Sequence, residues 1–309
     1  MMQYLVILLD DTSISYCHYE NTKTIRKLIS LDDLKAGIFF AMKQNLMIQF
    51  VYPVYELPEE YHTLIETIDH QRIIPAPQAT SGAEVMVIEC LEKIPETITG
   101  DAAYVVRTTK VELFQNVEKL SQLLGKANRI NIVLTDVDTF TDADFALYRQ
   151  VLSQIADATT EQYTHGHFPQ LNILTDRVLV DRMNNCNAGV ENITLAPNGQ
   201  FYVCPAFYYE NELDAIGNPA DGIDIKNKQL FQIDFSPLCR RCDAYQCRRC
   251  VWLNRKTTLE VNTPSHEQCV IAHLERNASR EWLLGMADFF PGREITEIQY
   301  LDPFDIIEN

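Results

Sequence analysis

The sequence predicts an α/β fold that gives way to a small cysteine-rich module, and three observations carry that prediction. Apolar runs of strand length alternate with segments of helical period over the first 180 residues. Near residue 180 this texture ends and short hairpin-like pieces take over. Seven of the nine cysteines then fall between Cys186 and Cys269. Strands separated by helices imply parallel βα units whose helices shield a sheet. About six such units can curl into a partial barrel or lie as an open sheet, and periodicity alone does not choose between them.

Tyr4 to Leu9 is a continuous apolar run that reads as a buried strand ending at Asp10 and Asp11. A helix is expected from Leu31 to Gln44, with Ser30 as N-cap, Asp33 at N3, and Leu34, Ile38 and Met42 on one face. Leu46 to Tyr52 is the next strand, stopped by Pro53. Pro58 then opens a short helix that turns Tyr61, Leu64, Ile65 and Ile68 inward. Val85 to Glu89 and Tyr104 to Arg107 follow as strands, and Val111 to Leu124 as a helix. Ile130 to Leu134 is a strand, Asp142 to Ala156 a helix, and Leu171 to Leu174 closes the series. Beyond it, Asn198-Gly199 forms a tight turn that sets Cys186 and Cys204 on opposite limbs of one hairpin. A last helix is expected to start at Thr263-Pro264, with Thr as cap and Pro at N1, and to run through Cys269, Ile271 and Leu274.

Composition narrows the function classes. The chain carries 43 acidic against 26 basic side chains, a formal charge of −17 that repels phosphate and disfavours nucleic acid or anionic membrane as partner. A local basic patch exists at Arg240, Arg241, Arg248, Arg249 and Arg255. It reads either as compensation for nearby thiolates or as a dock for an acidic peptide or electron donor. Gln3 to Leu9 is too short to span a bilayer and no signal-peptide pattern opens the chain, so a cytoplasmic protein is expected. Nine cysteines in that setting argue for metal rather than disulfides.

Cys239-x2-Cys242-x4-Cys247-x2-Cys250 packs four thiols into twelve residues, a spacing that lets sulfurs converge on metal. Cys186 and Cys204 on the hairpin, and Cys269 at a helix start, add three more. Thiolate sets of this kind suit iron–sulfur clusters and zinc alike. On zinc alone, three cysteines are left over once four have closed a ribbon.

The run Cys186-x12-Gly199-x4-Cys204, then the two CxxC pairs, then Cys269, resembles the SPASM domain. That domain follows the barrel in many radical S-adenosylmethionine enzymes that modify ribosomally made peptides and proteins. The second half departs from the family pattern, with four and then two intervening residues where five and then three are usual. The resemblance implies two auxiliary [4Fe–4S] clusters. Cys186, Cys204 and Cys250 would hold the first, with its fourth ligand not visible. Cys239, Cys242, Cys247 and Cys269 would hold the second. It also implies three parts: residues 1–180 a degenerate radical-enzyme-like partial (β/α) barrel, 181–290 a SPASM-like domain with hairpin and C-terminal helix, and 291–309 a tail.

The radical family needs a Cys-x3-Cys-x2-Cys loop after the first strand. Here that loop reads Asp10-Asp11-Thr12-Ser13-Ile14-Ser15-Tyr16-Cys17-His18-Tyr19, with one cysteine. S-adenosylmethionine is therefore not expected as a cofactor. Asp10, Asp11, Cys17 and His18 remain weak catalytic candidates, since they stand at the C-terminal end of a strand, where α/β proteins place their chemistry. Two further polar groups, His165-x-His167 and the acidic cluster Asp136, Asp138, Asp142 and Asp144, read as surface histidines and helix-capping carboxylates.

A barrel-like half without the triad, joined to a SPASM-like module, is similar to the CXXX repeat peptide maturase family. The resemblance implies an accessory or maturase role toward a ribosomally synthesised cysteine-rich precursor peptide, alongside a companion radical enzyme. The clusters would serve electron transfer, substrate docking, or coordination of a substrate thiol at the open position. The alternatives are a non-enzymatic scaffold with structural metal and an enzyme that uses Cys17 itself.

Overall fold

β1 (Tyr4–Leu8), β2 (Met47–Val51), β3 (His70–Pro75), β4 (Val85–Ile88), β5 (Ala103–Thr108), β6 (Arg129–Leu134) and β7 (Gln170–Leu171) line up in sequence order, each parallel to the next. They belong to a computed structural model that describes residues 2–76, 84–180, 182–183, 185–247 and 249–290. β8 (Asn192–Leu195) pairs parallel with the far side of β1, and β9 (Phe201–Tyr202) pairs antiparallel with β8, so the hairpin extends the main sheet to nine strands. This is the α/β arrangement expected, a parallel series wound like part of a barrel, followed by a smaller helical and cysteine-rich region.

Residues alternate across the sheet, and both faces are covered. Leu5, Ile7, Phe50, Ile88, Val106 and Ile132 point to a core shared with helices α1 (Leu31–Gln44), α2 (Glu59–Ile65), α3 (Lys110–Gln115), α4 (Val117–Leu124) and α5 (Asp142–Thr164). Val6, Leu8, Val51, Ile73, Val87, Val105 and Val133 point the other way, against Tyr202, Val203, Phe207, Tyr208 and Val251 of the cysteine-bearing region. Double-sided burial is why the strands read as continuous apolar runs. The approach is close where α1 crosses β8, since a Cβ at Gly37 would collide with the Leu195 side chain.

Several elements differ from expectation for identifiable reasons. β3 is unforeseen, because its first half, His70-Gln71-Arg72, is polar and only half-buried, and its last residue is Pro75. The helix expected from Val111 to Leu124 is broken at Asn116, whose side-chain amide donates to the Glu112 carbonyl at 2.9 Å and competes with the helical ladder. α5 runs two turns beyond Ala156 and brings Tyr163 edge-on to Trp282 at 5.2 Å. The strand expected over Leu171 to Leu174 is only two residues long, yet Asn172 continues it with its side chain, which bonds both the N–H and the C=O of Ile132. The Asn198-Gly199 turn needs a positive φ at Gly199 alone, at 75°.

In the C-terminal region α6 (Asp176–Leu179), α7 (Pro205–Glu210) and α8 (Val251–Thr258) precede α9 (His266–Gly285), with a small β10 (Gly217–Asn218) and β11 (Gly222–Ile223) pair between α7 and α8. α9 starts at Ser265 rather than at Thr263-Pro264. Ser265 and Gln268 close a reciprocal capping box there, which satisfies two otherwise unpaired backbone N–H groups. Among the described residues no helix is long and apolar enough to cross a membrane. Arg248 and residues 291–309, which include the expected tail, lie outside the described residues.

Candidate metal centre

The loop that follows β1 is tied down along its length. Asp10 is buried and its Oδ1 accepts from the Thr12 backbone N–H and hydroxyl, while Ser13 Oγ accepts from the Asp10 N–H and donates to the Val51 carbonyl at 2.9 Å. Asp10 Oδ2 is buried without a hydrogen-bond partner. Asp11 accepts from the Tyr208 hydroxyl and lies 3.6 Å from Lys23 Nζ. Burial, then the Asp11 carboxylate, pushes the Tyr208 phenol far above its ordinary range. Both carboxylates proposed from sequence as catalytic candidates thus hold the loop against its neighbours.

Cys17 and His18 lie at the ends of β5 and β6. Arg107, on β5, donates through Nε to the Cys17 carbonyl at 3.1 Å and through Nη2 to the Tyr19 carbonyl at 2.7 Å. His18 Nδ1 donates to the Leu134 carbonyl at 2.8 Å, because a carbonyl can only accept. His18 also lines a cavity of about 60 Å³ together with Asn172, Gln246, Cys247, Cys250 and Glu275. Gln246 is buried there with neither amide atom hydrogen-bonded, and Glu275 accepts from Tyr148 at 2.8 Å. Tyr16, Tyr19 and Tyr209 run from this loop to α7, with ring centroids 6.1 and 5.5 Å apart.

The seven clustered cysteines segregate into two sets, and none of the nine is in a disulfide. In the first set, burial pushes the Cys204 thiol well up, with the Cys250 and Cys186 thiols beside it adding to the shift. The amides of Ala206 and Phe207 at the start of α7 pull the other way. Burial likewise pushes Cys250 up to about 12, with Cys186 next in effect. Cys250 caps α8, and its sulfur accepts from the Leu253 N–H at 3.4 Å.

In the second set Cys239, Cys242, Cys247 and Cys269 line one enclosed cavity of about 30 Å³ with Arg249 and His273. Burial pushes Cys247 well up, and Cys239, Cys242 and Cys269 follow as the next causes. Cys239 is pushed up to about 11 by burial, with Arg249 opposing. Cys242 Sγ accepts from the Ala244 N–H at 3.4 Å and lies 3.8 Å from His273 Nε2.

Sequence reasoning offered Arg249 as compensation for nearby thiolates but missed Asp243 and its arginine partners. Arg249 is 2% exposed, bonds Cys239, and donates to the Phe231 and Leu230 carbonyls at 3.0 and 3.4 Å. Asp243, beside Cys242, is 1% exposed and meets three arginines: Arg276 at 2.8 Å, Arg280, and Arg177 at 3.6 Å. The Asp243 carboxylate thus joins three guanidinium groups in one buried ion network beside Cys242. Of the rest of the basic patch, Arg255 pairs with Glu210 and Asp214 and stacks over Phe207. The other weak signals are structural: His167 bonds the Leu124 carbonyl, Asp144 caps α5 and pairs with Lys110, and Asp138 pairs with Lys256.

The donor chemistry fits the group the sequence implies. Soft sulfur donors are gathered in one place, two of them facing helix-start amides and one an arginine, each of which favours a thiolate over a thiol. Among the described residues no three Cys, His, Asp or Glu side chains close tightly around a single ion.

No protein-family model matches the sequence, and no curated protein matches it. Its fold, however, matches solved structures over nearly the whole chain. Hexahistidine-tagged anSMEcpe with bound AdoMet superposes with a TM-score of 0.65 at 12% identity, over 94% of this chain and 97% of that one. Native anSMEcpe with bound AdoMet and Cp18Cys peptide gives 0.61 at 13%, over 93% and 99%. The same protein with Kp18Cys peptide gives 0.60 at 12%, over 93% and 100%. The fold is thus shared with anSMEcpe. This corrects the expectation that S-adenosylmethionine has no place here, because every one of these structures carries AdoMet on the same fold. The missing triad was too narrow a ground for that expectation: strand ends and their loops also build a ligand site in such folds.

Proposed function

We propose that this protein takes part in the post-translational modification of a cysteine-containing peptide, holding metal on two thiolate sets placed at the C-terminal ends of the strands. The observation that carries the reading is the convergence of two thiol sets and the loop after β1 on one end of the sheet. Cys186, Cys204 and Cys250 would hold one group, and Cys239, Cys242, Cys247 and Cys269 the other. [4Fe–4S] clusters suit sets made of thiolates alone. When bound they would supply electron transfer and an electrophilic docking point for a thiol.

The chain's own residues do the rest. Arg249 and the Asp243 arginines balance thiolate charge, Arg107 and His18 fix the loop, and the Gln246 amide offers unused donors and acceptors to a peptide entering the cavity. The peptide-bearing anSMEcpe structures support a peptide as the class of partner. The resemblance to CXXX repeat peptide maturases makes it a ribosomally synthesised cysteine-repeat precursor, with a companion radical enzyme. The division at about residue 180 is retained as part of this proposal.

A second reading, a peptide-holding scaffold without chemistry of its own, is favoured by one observation: Asp10 and Asp11 are both engaged in holding their loop. Anaerobic purification with iron, acid-labile sulfide, zinc and AdoMet-binding measurements tests both. Iron and sulfide near eight each per chain, about four per cluster, support the cluster reading. Stoichiometric zinc without sulfide overturns it and supports the scaffold.

A further inference from the structure

The cavity shared by His18, Gln246 and Glu275 lies where the C-terminal ends of β6 and β7 meet α8 and α9, since Leu134, Asn172, Leu253 and Ile271 also line it. We propose that this cavity receives a lysine side chain of the cysteine-containing peptide, with Glu275 and Gln246 holding the ammonium. The inference rests on the peptide reading above and names the residue that the peptide places here.

Size limits the occupant first. A water-sized group needs about 10–15 Å³ of such space, so a cavity of about 60 Å³ takes about five of them. A lysine side chain, a four-carbon stem with one terminal nitrogen, is of that size, whereas its guanidinium makes arginine longer and wider. The apolar part of the wall comes from Ile132 and Leu134 of the sheet and from Leu253 and Ile271 of the helices. Methylenes lie against such a wall at no polar cost, and a charged tip follows only where partners await it.

The polar part of the wall is made mostly of acceptors. Glu275 is 8% exposed, and the Tyr148 hydroxyl of α5 fixes its carboxylate at 2.8 Å. Gln246 is 6% exposed with neither amide atom hydrogen-bonded, a destabilising state that a donor meeting its oxygen would relieve. The His18 ring donates through Nδ1 to Leu134, so in its neutral form Nε2 is an acceptor. Asn172 is spent, since its amide bonds both the N–H and the C=O of Ile132. Arg249 also lines the cavity, but its Nη1 and Nη2 are turned to the Phe231 and Leu230 carbonyls. A carboxylate, an amide oxygen and an imidazole nitrogen suit a cation with three N–H donors and no acceptor, which is an ammonium. Cys247 and Cys250, one from each thiol set, are half-buried in the same wall. A lysine held here therefore brings its neighbours in the peptide beside both sets.

The test is peptide binding by fluorescence anisotropy to the full-length chain purified without oxygen. The probes are short fluorescein-labelled glycine–serine peptides, each with one cysteine and one lysine at varied separation. Matched peptides carry norleucine or arginine in place of the lysine. At the favoured separation the lysine peptide is expected to bind about tenfold tighter than the norleucine one, and tighter than the arginine one. Glu275→Gln keeps an acceptor for Tyr148 and removes the charge, so it should bring the lysine and norleucine peptides within about twofold of each other. Gln246→Leu should weaken the lysine peptide and leave the norleucine peptide unchanged. Equal binding of lysine and norleucine peptides at every separation overturns the subsite and leaves the peptide reading standing. So does an arginine peptide that matches the lysine one, because attraction to a chain of charge −17 does not tell the two cations apart. Binding of none of the peptides overturns both. If Glu275→Gln does not fold, the three peptides on the unsubstituted chain decide, together with Gln246→Leu.

Discussion

The two thiol sets solve the same electrostatic problem by different means. Cys204 and Cys250 stand at the starts of α7 and α8, where backbone amides face their sulfurs. Cys239, Cys242, Cys247 and Cys269 gather around Arg249 and His273 as well as backbone amides, with the Asp243 ion network beside Cys242. A backbone amide is lost only to proline, whereas a side-chain charge is lost to any neutral substitution. The second set is therefore the easier one to probe by side-chain substitution, and the contrast can be broken at Asp243. Asp243→Asn leaves Arg177, Arg276 and Arg280 without a carboxylate at a site 1% exposed. Removal of one member of a buried ion network costs about 3–5 kcal/mol, read by urea unfolding. Metal loss should strike the second set first, with Cys239 and Cys247 becoming alkylated before Cys204. Equal loss from both sets would erase the distinction.

Arg249→Gln is the next step down. The substitution removes the donors to the Phe231 and Leu230 carbonyls and the cation beside Cys239. Buried acceptors left without donors cost about 1–3 kcal/mol. Arg249→Lys should restore part of the metal affinity but little of the stability, because an ammonium keeps the charge and loses the two-pronged fork. If Lys rescues both equally, Arg249 is acting as charge alone.

What could be read from sequence follows the same division. The strands were legible because each is buried on both faces, as Leu5, Val6, Ile7 and Leu8 are. β3 was not, since His70, Gln71 and Arg72 carry no apolar signal and its place comes from pairing with β2 and β4. The partition of the cysteines into three and four came from family resemblance, since spacing alone does not divide seven thiols. The charges beside them were legible only in part. Arg249 belonged to a patch read either as compensation for thiolates or as a dock, and its burial with a bond to Cys239 agrees with the first. Nothing in the spacing joins Asp243 to Arg177, 66 residues earlier in the chain. α8 was missed because it begins on a cysteine and its second half, Asn254-Arg255-Lys256-Thr257, offers no apolar stripe.

Alkaline pH sharpens the comparison between loaded and stripped protein. In the stripped protein the folded-state thiol is raised from 9.0 to about 11 for Cys239 and to about 12 for Cys250. A raised value means the folded state holds protons that the unfolded state releases, so this contribution is intact below about pH 9 and lost as pH climbs toward 11–12. Metal reverses the sign, because bound sulfurs are already ionised in the folded state and bind tighter as protons become scarce. The melting temperature of stripped protein should fall between about pH 9 and about pH 11, while that of loaded protein stays level, so the gap widens. A gap that narrows would mean the sulfurs are not bound as thiolates.

The smallest effect probes the frame that carries Cys269 without touching any sulfur. Ser265→Ala opens the capping box with Gln268 at the start of α9, four residues before Cys269. Loss of such a cap costs about 1 kcal/mol. Because Cys269 N–H bonds the Ser265 carbonyl at 3.2 Å, fraying there loosens one corner of the second set alone. Metal removal from that set by a competing chelator should quicken by about the tenfold that 1.4 kcal/mol represents at most, with the first set unaffected. An equal quickening in both sets would mean that they release metal as one cooperative unit, and the difference in their construction would then have no consequence for metal retention.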